Sequence, residues 1–283
     1  MSMATDATPS RGPFAGLRWA ILPVGLRRAL QFLMIIAAWE IYTRYSGVDP
    51  LVFPPPAQVA EALVEGWSSG RLAQATLTTL ELLAISLGIG MTLAVVFTVL
   101  ARVSTFADDA VELLTSMLNP LPSVAMLPIA LIWFGLNVNA LIFVVVNAVL
   151  WPVTLALSTG FRTVNQTLVN VGRNIGLNWW RMITDVLFPA ALPHTMTGIK
   201  TGLGYGWRTI IAAELVFGVS GAKSGLGNFL NDARYFLRTD EVFAGIISVA
   251  LIGIVLEIAL AAVERRTIVR WGMKQQSSTE TAK

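Results

Sequence analysis

Six apolar runs, separated by more polar segments, limit most strongly what this chain can fold into. A run of roughly 20 apolar residues is long enough to cross a lipid bilayer as an α-helix. A helix suits that environment because it satisfies its own backbone hydrogen bonds. We therefore predict an all-α, polytopic membrane protein with six transmembrane helices in a lipid bilayer. The predicted spans cover approximately residues 30–45, 77–100, 113–134, 141–157, 196–219 and 242–263.

The composition agrees with this class and excludes several others. Of the 283 residues, 55% are hydrophobic and 13% are charged, whereas soluble domains contain about 25% charged residues. The absence of cysteine excludes disulfides, thiolate metal sites and cysteine nucleophiles. A single histidine argues against a histidine metal site or a Ser-His triad, and a net charge of +3 gives no reason to expect nucleic acid as a partner. We expect a protein without enzymatic activity and without a cofactor of its own.

The basic residues predict the orientation of the chain. Six spans place both termini on one side, and cytoplasmic segments of membrane proteins are enriched in Lys and Arg. With the N-terminus inside, the outer segments contain only Arg44, Arg71, Lys223, Arg234 and Arg238. The inner segments contain Arg11, Arg18, Arg27, Arg28, Arg102, Arg162, Arg173, Arg181, Arg265, Arg266, Arg270, Lys274 and Lys283. Both termini are therefore predicted to be cytosolic.

The same pattern gives the domain organisation. Residues 1–27 are predicted to form a cytosolic tail, because they lack the apolar core and cleavage site of a secretory signal. Residues 28–271 are predicted to form the membrane domain, and residues 272–283 a second cytosolic tail.

A polar segment at residues 161–190 separates the fourth and fifth spans and is longer than a connector requires. Val164, Leu168, Val171 and Ile175 recur in steps of four, three and four. This spacing predicts an amphipathic helix from Val164 to Ile175. The orientation above predicts that the segment lies in the cytosol.

A turn and a second helix are predicted to follow. Gly176 can adopt the positive φ that commonly ends a helix. Asn178 is a good N-cap, and the helix it starts should stop at Pro189. Residues 161–190 therefore read as a helical hairpin, either an ordinary connector or a docking element.

Prolines mark two other segments. The third span contains Pro120, Pro122 and Pro128, so it cannot be one straight helix. Backbone groups freed by proline must be buried in protein or face water within a membrane, so this span either lines a pathway or packs as a kink. The Pro-rich segment 49–56 should be extended, and the helix predicted after it, at residues 57–67, is too short and too charged to span a membrane.

The fifth span combines small and ionisable residues. Gly198, Gly202 and Gly206 form a strip that allows another helix to approach closely, either within the monomer or beside a partner. Arg208 and Glu214 lie six residues apart, about 240° around the helix, so they do not share a face.

An arginine near the middle of a transmembrane helix costs about 2.5–3.5 kcal/mol on insertion scales. Arg208, which lies there in the predicted fifth span, should therefore have a structural or functional role. Two explanations remain open. The guanidinium could counter an anionic substrate, or it could form a structural ion pair with Glu40, Glu81 or Glu257.

The hairpin resembles the signature loop of the transmembrane subunits of ABC importers. That signature has Glu-Ala-Ala, three residues, Gly, nine residues, then Ile, any residue, Leu and Pro. Here Gly176 is followed by nine residues and then by Val186-Leu-Phe-Pro189, which matches the spacing. Asn170-Val-Gly172 stands in place of Glu-Ala-Ala, so the family's acidic residue is missing. Docking here is therefore expected to depend on shape, Arg173 and neutral hydrogen bonds.

Further segments resemble one class of these permeases, which serves nitrate, sulfonate, taurine, bicarbonate and related anions. The resemblance runs from about residue 30 to residue 271, and the order and spacing of its pieces matter more than any single one. The pieces are Leu51–Pro56, Asn119–Gly135, Gly202–Glu214, Ser224–Gly227 and Thr239–Gly245.

The resemblance implies a type I ABC importer permease fold and a transport subunit that performs no chemistry. It implies a homodimer with the pathway between two copies, two cytosolic ATPase subunits that bind ATP-Mg, and an external solute-binding protein. It also implies a location in the cytoplasmic (inner) membrane of a bacterium.

The resemblance also implies roles for individual residues. The polar face of the hairpin helix would seat in the ATPase, and its apolar face would pack on the protein's own inner ends. The expected ATPase-coupling residues are Asn170, Gly172, Arg173, Asn174, Gly176, Asn178, Trp179 and Pro189. The expected pathway residues for a small anion are Asn119, Pro120, Ser123, Trp207, Arg208 and Glu214.

Two other functions stay open as alternatives. An ion-gradient-driven secondary transporter tends to show internal repeats, and the two halves of this chain show no convincing one. A membrane-embedded enzyme would need a cluster of polar catalytic residues, and the sequence offers none.

Overall fold

The computed structural model describes residues 23–217 and 224–269, and this part of the chain is helical without a strand. The predicted tails, residues 1–27 and 272–283, therefore lie outside the described residues except for residues 23–27. The α-helices are α1 (Val24–Tyr45), α2 (Pro56–Ser68), α3 (Arg71–Leu100), α4 (Thr105–Leu118), α5 (Leu127–Phe134), α6 (Val138–Arg162), α7 (Gln166–Asn174), α8 (Trp179–Arg181), α9 (Phe188–Ala190), α10 (Leu192–Phe217), α11 (Leu226–Tyr235) and α12 (Thr239–Glu264).

Helix α6 forms the centre of the fold, and α3 and α10 pack on it. The glycine strip of α10 faces α6: an added Cβ would lie 2.7 Å from Ala156 Cβ at Gly198 and 2.9 Å from Val153 Cγ2 at Gly202. Of the two explanations for the strip, packing within the chain is therefore correct. Most of α6 is buried by this packing. Helices α3, α6 and α10 therefore form the core of the fold.

The third predicted span is broken. Helix α4 and the segment Ser123–Phe134, which starts with a 3-10 turn, meet at an angle of 97°. Pro120 and Pro122 lie in the break and Pro128 lies in the first turn of α5, where proline is tolerated. The prediction that this span cannot be one straight helix is confirmed.

Three helices of the described part are long and apolar enough to cross a membrane by length and composition, and the broken pair makes up to four. The three are Arg71–Leu100, Val138–Arg162 and Thr239–Thr267. Helices α1 and α10 are 22 and 26 residues long, but they fall outside that set. The number of six spans therefore stays a prediction.

Helix α1 is attached to the rest mainly through aromatic side chains. It has no buried residue. Trp39 of α1 packs on Phe53 and on Phe243 of α12, with ring centroids 5.7 and 5.6 Å apart. The Trp39 indole also donates to the carbonyl of Pro54 at 3.1 Å. The Pro-rich segment thus joins α1 to α12.

The hairpin at residues 161–190 folds largely as predicted. Helix α7 ends before Gly176, which has φ of +76°. The Asn178 side chain accepts a hydrogen bond from the Arg181 amide at 2.9 Å and caps the second helix. The turn and the cap are therefore confirmed.

The predicted end at Pro189 lies one residue before the end of α9 at Ala190. A π-helical segment, Met182–Leu187, leads into α9, and after a single turn residue, Ala191, α10 begins. Proline lacks the amide hydrogen of a regular helical bond. In the wider π-turn the Phe188 amide bonds to Ile183 five residues back, so Pro189 is accommodated where a regular helix would break.

Candidate functional site

Arg208 is placed beside a cavity of about 520 Å³ between α10, α6 and the break after α4. Four of the predicted pathway residues meet there: Asn119, Pro120, Ser123 and Arg208. Tyr205 and Thr209 add hydroxyl groups from α10. The proline-rich break therefore forms a cavity wall, and the cavity combines one guanidinium with several neutral hydrogen-bonding groups.

Ser123 is held in this wall by a relay from α6. The Trp151 indole donates to Asn147 Oδ1 at 2.8 Å, and Asn147 Nδ2 donates to Ser123 Oγ at 3.2 Å. Because the Ser123 oxygen accepts this bond, its own hydrogen is free to donate to a ligand. Asn119 Oδ1 is buried without a hydrogen-bond partner in the described part of the chain.

The ion-pair explanation for Arg208 finds no direct support among the described residues. Glu40 pairs with Arg44 at 2.5 Å. Glu257 shares with Arg208 a second cavity of about 430 Å³, between α10 and α12. Within residues 23–217 and 224–269, no ion pair joins Arg208 to a carboxylate.

Glu257 nevertheless lies at the depth of Arg208. Lys200 and Glu264 form an ion pair between α10 and α12, nearer the end of the bundle where residues 161–190 lie, which we call the hairpin end. Arg208 is eight residues and Glu257 seven residues beyond that pair, about 12 and 10.5 Å at 1.5 Å per residue. Trp207, another predicted pathway residue, lines this second cavity, and its ring lies against Gly253.

Glu214 occupies a different environment and does not join the other predicted pathway residues. Its side chain is 1% exposed. The Thr79 hydroxyl donates to both carboxylate oxygens at 3.0 Å, and the Gly227 amide donates to Oε2 at 2.8 Å. Thr79 Oγ1 in turn accepts from the Leu226 amide at 2.8 Å. Glu214 thus links α3, α10 and the start of α11.

Two glycines make room for this carboxylate. A Cβ at Gly225 would collide with the Glu214 carboxylate oxygens, and one at Gly227 would lie 2.5 Å from both Glu214 Cβ and the Ile211 carbonyl. The Ser224-Gly-Leu-Gly227 segment therefore has a packing reason for its glycines.

The coupling residues predicted in the hairpin fall into three environments. Asn170 and Asn174 are exposed, and so is Gly176 at the turn. Gly172 is buried: an added Cβ would lie 2.9 Å from Met182 Cε. Arg173 and Trp179 line a cavity together with Arg102.

The expected direction of the apolar face of α7 is wrong. Val164 is 7% exposed and packs on the protein. Leu168, Val171 and Ile175 are 50%, 51% and 69% exposed and face outward. We call these three residues the exposed apolar face of α7. The periodicity of the sequence identifies the apolar side of the helix, but it does not indicate whether that side packs on the protein itself or faces outward.

Several residues of these sites were not predicted from the sequence, although Asn147 and Trp151 form a recognisable pattern there. Asn147 is a polar residue inside an apolar run with Trp151 four positions later, the spacing at which helix side chains meet. Thr79 lies in α3 far from Glu214 in sequence, so only the fold reveals their contact.

Comparison with known proteins gives one family match. Residues 82–269 match the family described as "Binding-protein-dependent transport system inner membrane component". The chain is 30% identical to the taurine transport system permease protein TauC of Escherichia coli (strain K12), over 82% of this chain and 85% of that protein. It is 27% identical to the nitrate import permease protein NrtB of Synechocystis sp., over 93% of this chain and 97% of that protein.

A third relative and a solved structure agree. The putative aliphatic sulfonates transport permease protein SsuC of Bacillus subtilis (strain 168) is 28% identical, over 95% of this chain and 92% of that protein. A chain in the "Crystal structure of an amino acid ABC transporter with histidines" superposes with a TM-score of 0.57 at 16% identity, covering 72% of this chain and 97% of that chain. At that identity the structure supports the fold alone.

Proposed function

The chain belongs to the family of binding-protein-dependent transport system inner membrane components, and we propose that it forms the translocation pathway of an ATP-driven importer for a small anion. In this proposal two copies enclose the pathway and both termini are cytosolic. Two cytosolic ATPase subunits bind ATP-Mg, and this chain binds no cofactor. An external binding protein delivers the solute.

The observation that supports an anionic solute is the position of Arg208. Its guanidinium lines a cavity that also contains hydroxyl groups, and it has no ion pair among the described residues. Placing an unpaired cation in a membrane span costs free energy, and an anion that passes through the cavity offsets that cost. The names of these relatives mention taurine, aliphatic sulfonates and nitrate, which are small compounds with an anionic group.

Ser123 and Arg208 would bind such an anion together. A guanidinium presents paired donors to an oxyanion, and the Ser123 hydroxyl has its hydrogen free because Asn147 already donates to its oxygen. A site of one cation and a few hydroxyls binds weakly enough to release its ligand, as a transport pathway requires.

Coupling to the ATPase would use the exposed apolar face of α7. Leu168, Val171 and Ile175 present a contiguous apolar surface at the turn of the hairpin. Such a helix face suits a groove on a partner protein. Since Asn170 replaces the family's acidic residue, apolar contact takes the place of an ion pair in this docking.

The hairpin would transmit motion directly to the pathway. Residues 179–208, which connect the hairpin to Arg208, are helical except for the turn residue Ala191. Approach of the two ATPase subunits would therefore displace α10 and the cavity wall with the hairpin. This movement would switch the pathway between inward-open and outward-open states.

Co-purification with the ATPase tests the coupling. Val171→Asp should remove the ATPase and ATP-dependent uptake, because it buries a charge in an apolar contact. Asn170→Asp is the matched control: it adds the same charge one residue away and should keep the ATPase bound. Equal retention of the ATPase by both variants would overturn this docking surface.

The alternative of an ion-gradient-driven transporter makes a different prediction. Proteoliposomes that contain the permease, ATPase and binding protein should take up the anion only with ATP. If uptake continued without ATP hydrolysis and stopped when the ion gradient was removed, the importer proposal would be wrong.

A further inference from the structure

A third cavity, of about 420 Å³, lies at the hairpin end and is surrounded by arginines. Its lining includes Arg102 after α3, Arg162 at the end of α6 and Arg173 on α7. Gln166 and Trp179 also line it, and none of its lining residues is a carboxylate. We propose that this cavity binds a phosphate-type anion, the group present in anionic phospholipid head groups and in inorganic phosphate.

Two of the three guanidiniums are available to such a ligand. Arg162 pairs with Asp108 at 3.1 Å and with Glu112 at 2.6 Å, both on α4. Arg102 lies over the Phe161 ring, 5.9 Å from its centroid. Neither Arg102 nor Arg173 forms an ion pair within residues 23–217 and 224–269.

The remaining acidic group of the hairpin does not balance these charges. Asp185 is exposed and accepts a hydrogen bond from Thr184, and it is absent from the cavity lining. The cavity therefore has uncompensated positive charge. Guanidinium groups bind phosphate oxygens through paired hydrogen bonds, and the Gln166 amide adds a neutral donor.

The position of the cavity favours a lipid head group. Arg102 lies just after α3 and Arg162 is the last residue of α6, and both helices are long and apolar enough to span the membrane. Both arginines would therefore lie near the depth of the lipid phosphates. Trp179 is 43% exposed at the cavity, and tryptophan prefers this interface. Basic residues near a membrane surface are attracted to anionic lipids.

The direction of Arg173 separates this site from the proposed ATPase surface. At 100° per residue, Arg173 lies about 160° around α7 from Val171, a member of the exposed apolar face. One side of α7 therefore faces outward with apolar side chains, and the other contributes its arginine to the cavity. An acidic side chain of the ATPase that docks on the outward side would not meet Arg173.

Native mass spectrometry of the purified permease, without the ATPase, tests the proposal. The protein is incubated with phosphatidylglycerol or with phosphatidylcholine, and retained lipid is counted. We expect wild-type protein to retain phosphatidylglycerol preferentially. The double variant Arg102→Gln, Arg173→Gln should retain it about five-fold less. Arg181→Gln, which removes an exposed arginine outside this cavity, is the matched control and should retain it like wild type.

A second arm separates the two sources of the anion. Inorganic phosphate is titrated against the permease in detergent, with ³¹P line broadening as the readout. If phosphate binds with the same arginine dependence while phosphatidylglycerol does not, the site is filled from solution and the anion proposal holds. If neither ligand binds with that dependence, the proposal is wrong.

Further outcomes would also overturn it. If Arg181→Gln lost as much lipid as the double variant, lipid retention would reflect a general attraction to basic residues and not binding in this cavity. Loss of ATPase binding with full lipid retention in the double variant would assign the arginines to subunit docking. If the double variant is unstable, Arg173→Gln alone gives the same readouts, since Arg173 lies exposed on α7. The outcome does not depend on uptake, so it is independent of the importer proposal.

Discussion

Arg208 and Glu214 lie six residues apart on the same helix, yet the fold treats them in opposite ways. Glu214 is 1% exposed and is bonded to Thr79 and Gly227, with two glycines shaped around it. Arg208 is exposed to two cavities and has no ion pair in the described part of the chain. Two ionisable residues of one helix thus lie in opposite environments: one is bonded within the protein, and the other is open to cavities.

The strongest test of this contrast removes the Glu214 carboxylate. Glu214→Ala leaves the Gly227 amide and the Thr79 hydroxyl without their acceptor inside the protein. Each unsatisfied buried group costs about 1–3 kcal/mol, so we expect the amount of folded protein in the membrane to fall more than about ten-fold. Glu214→Gln, which keeps one acceptor oxygen, should fall less. Normal levels of Glu214→Ala would show that the network is not structural.

Arg208→Gln should have the converse effect. The folded protein should be as abundant as wild type, because no ion pair is lost. Uptake of the anion should fall about ten-fold or more, since a hydrogen bond to a charged group contributes about 1.5–3 kcal/mol. Uptake of sulfonates, nitrate and bicarbonate with the cognate binding protein is the measurement, with Arg44→Gln as the surface control. A parallel drop in protein level would make Arg208 structural too.

Thr79→Val tests the same network with a smaller change. The substitution keeps the shape of the side chain but removes the hydroxyl that bridges Glu214 and the Leu226 amide. We expect the free energy of unfolding to fall by about 1–3 kcal/mol, measured as a lower midpoint of thermal aggregation in detergent. Thr79→Ser keeps the hydroxyl and should stay close to wild type. If Thr79→Ser destabilised the protein as much as Thr79→Val, the hydroxyl would not be the main source of the stabilisation.

The Glu257→Gln variant tests further whether Arg208 binds the transported anion. Glu257 lies at about the depth of Arg208 and lines one cavity with it. Removing its negative charge should raise the apparent affinity for the transported anion by about two-fold, because the long-range repulsion between the two anions is lost. The concentration dependence of uptake measures this change. A decrease in affinity would show that Glu257 positions Arg208.

The parts of the fold that follow local rules could be predicted from the sequence. The broken third span follows from Pro120 and Pro122, and the hairpin turn follows from Gly176 and Asn178. The π-turn before Pro189, which removes the need for the proline's amide, is not visible in the sequence.

The parts that depend on neighbours could not be predicted. Periodicity identified the apolar face of α7, but the fold turns Leu168, Val171 and Ile175 outward. Glu214 and Arg208 are both charged residues of one predicted span, and the sequence does not show that their environments differ. Only the contact with Thr79, 135 positions away in sequence, separates them.

The π-segment Met182–Leu187 also sets the rotational phase between the hairpin and α10. A π-turn closes across five residues where an α-turn closes across four, so it holds one additional residue. One residue corresponds to about 100° of rotation around a helix axis. The segment therefore determines which side of α10 meets α6 for a given orientation of α7. Without that one residue, the glycine strip would turn away from α6, and Arg208 would leave its cavity with it.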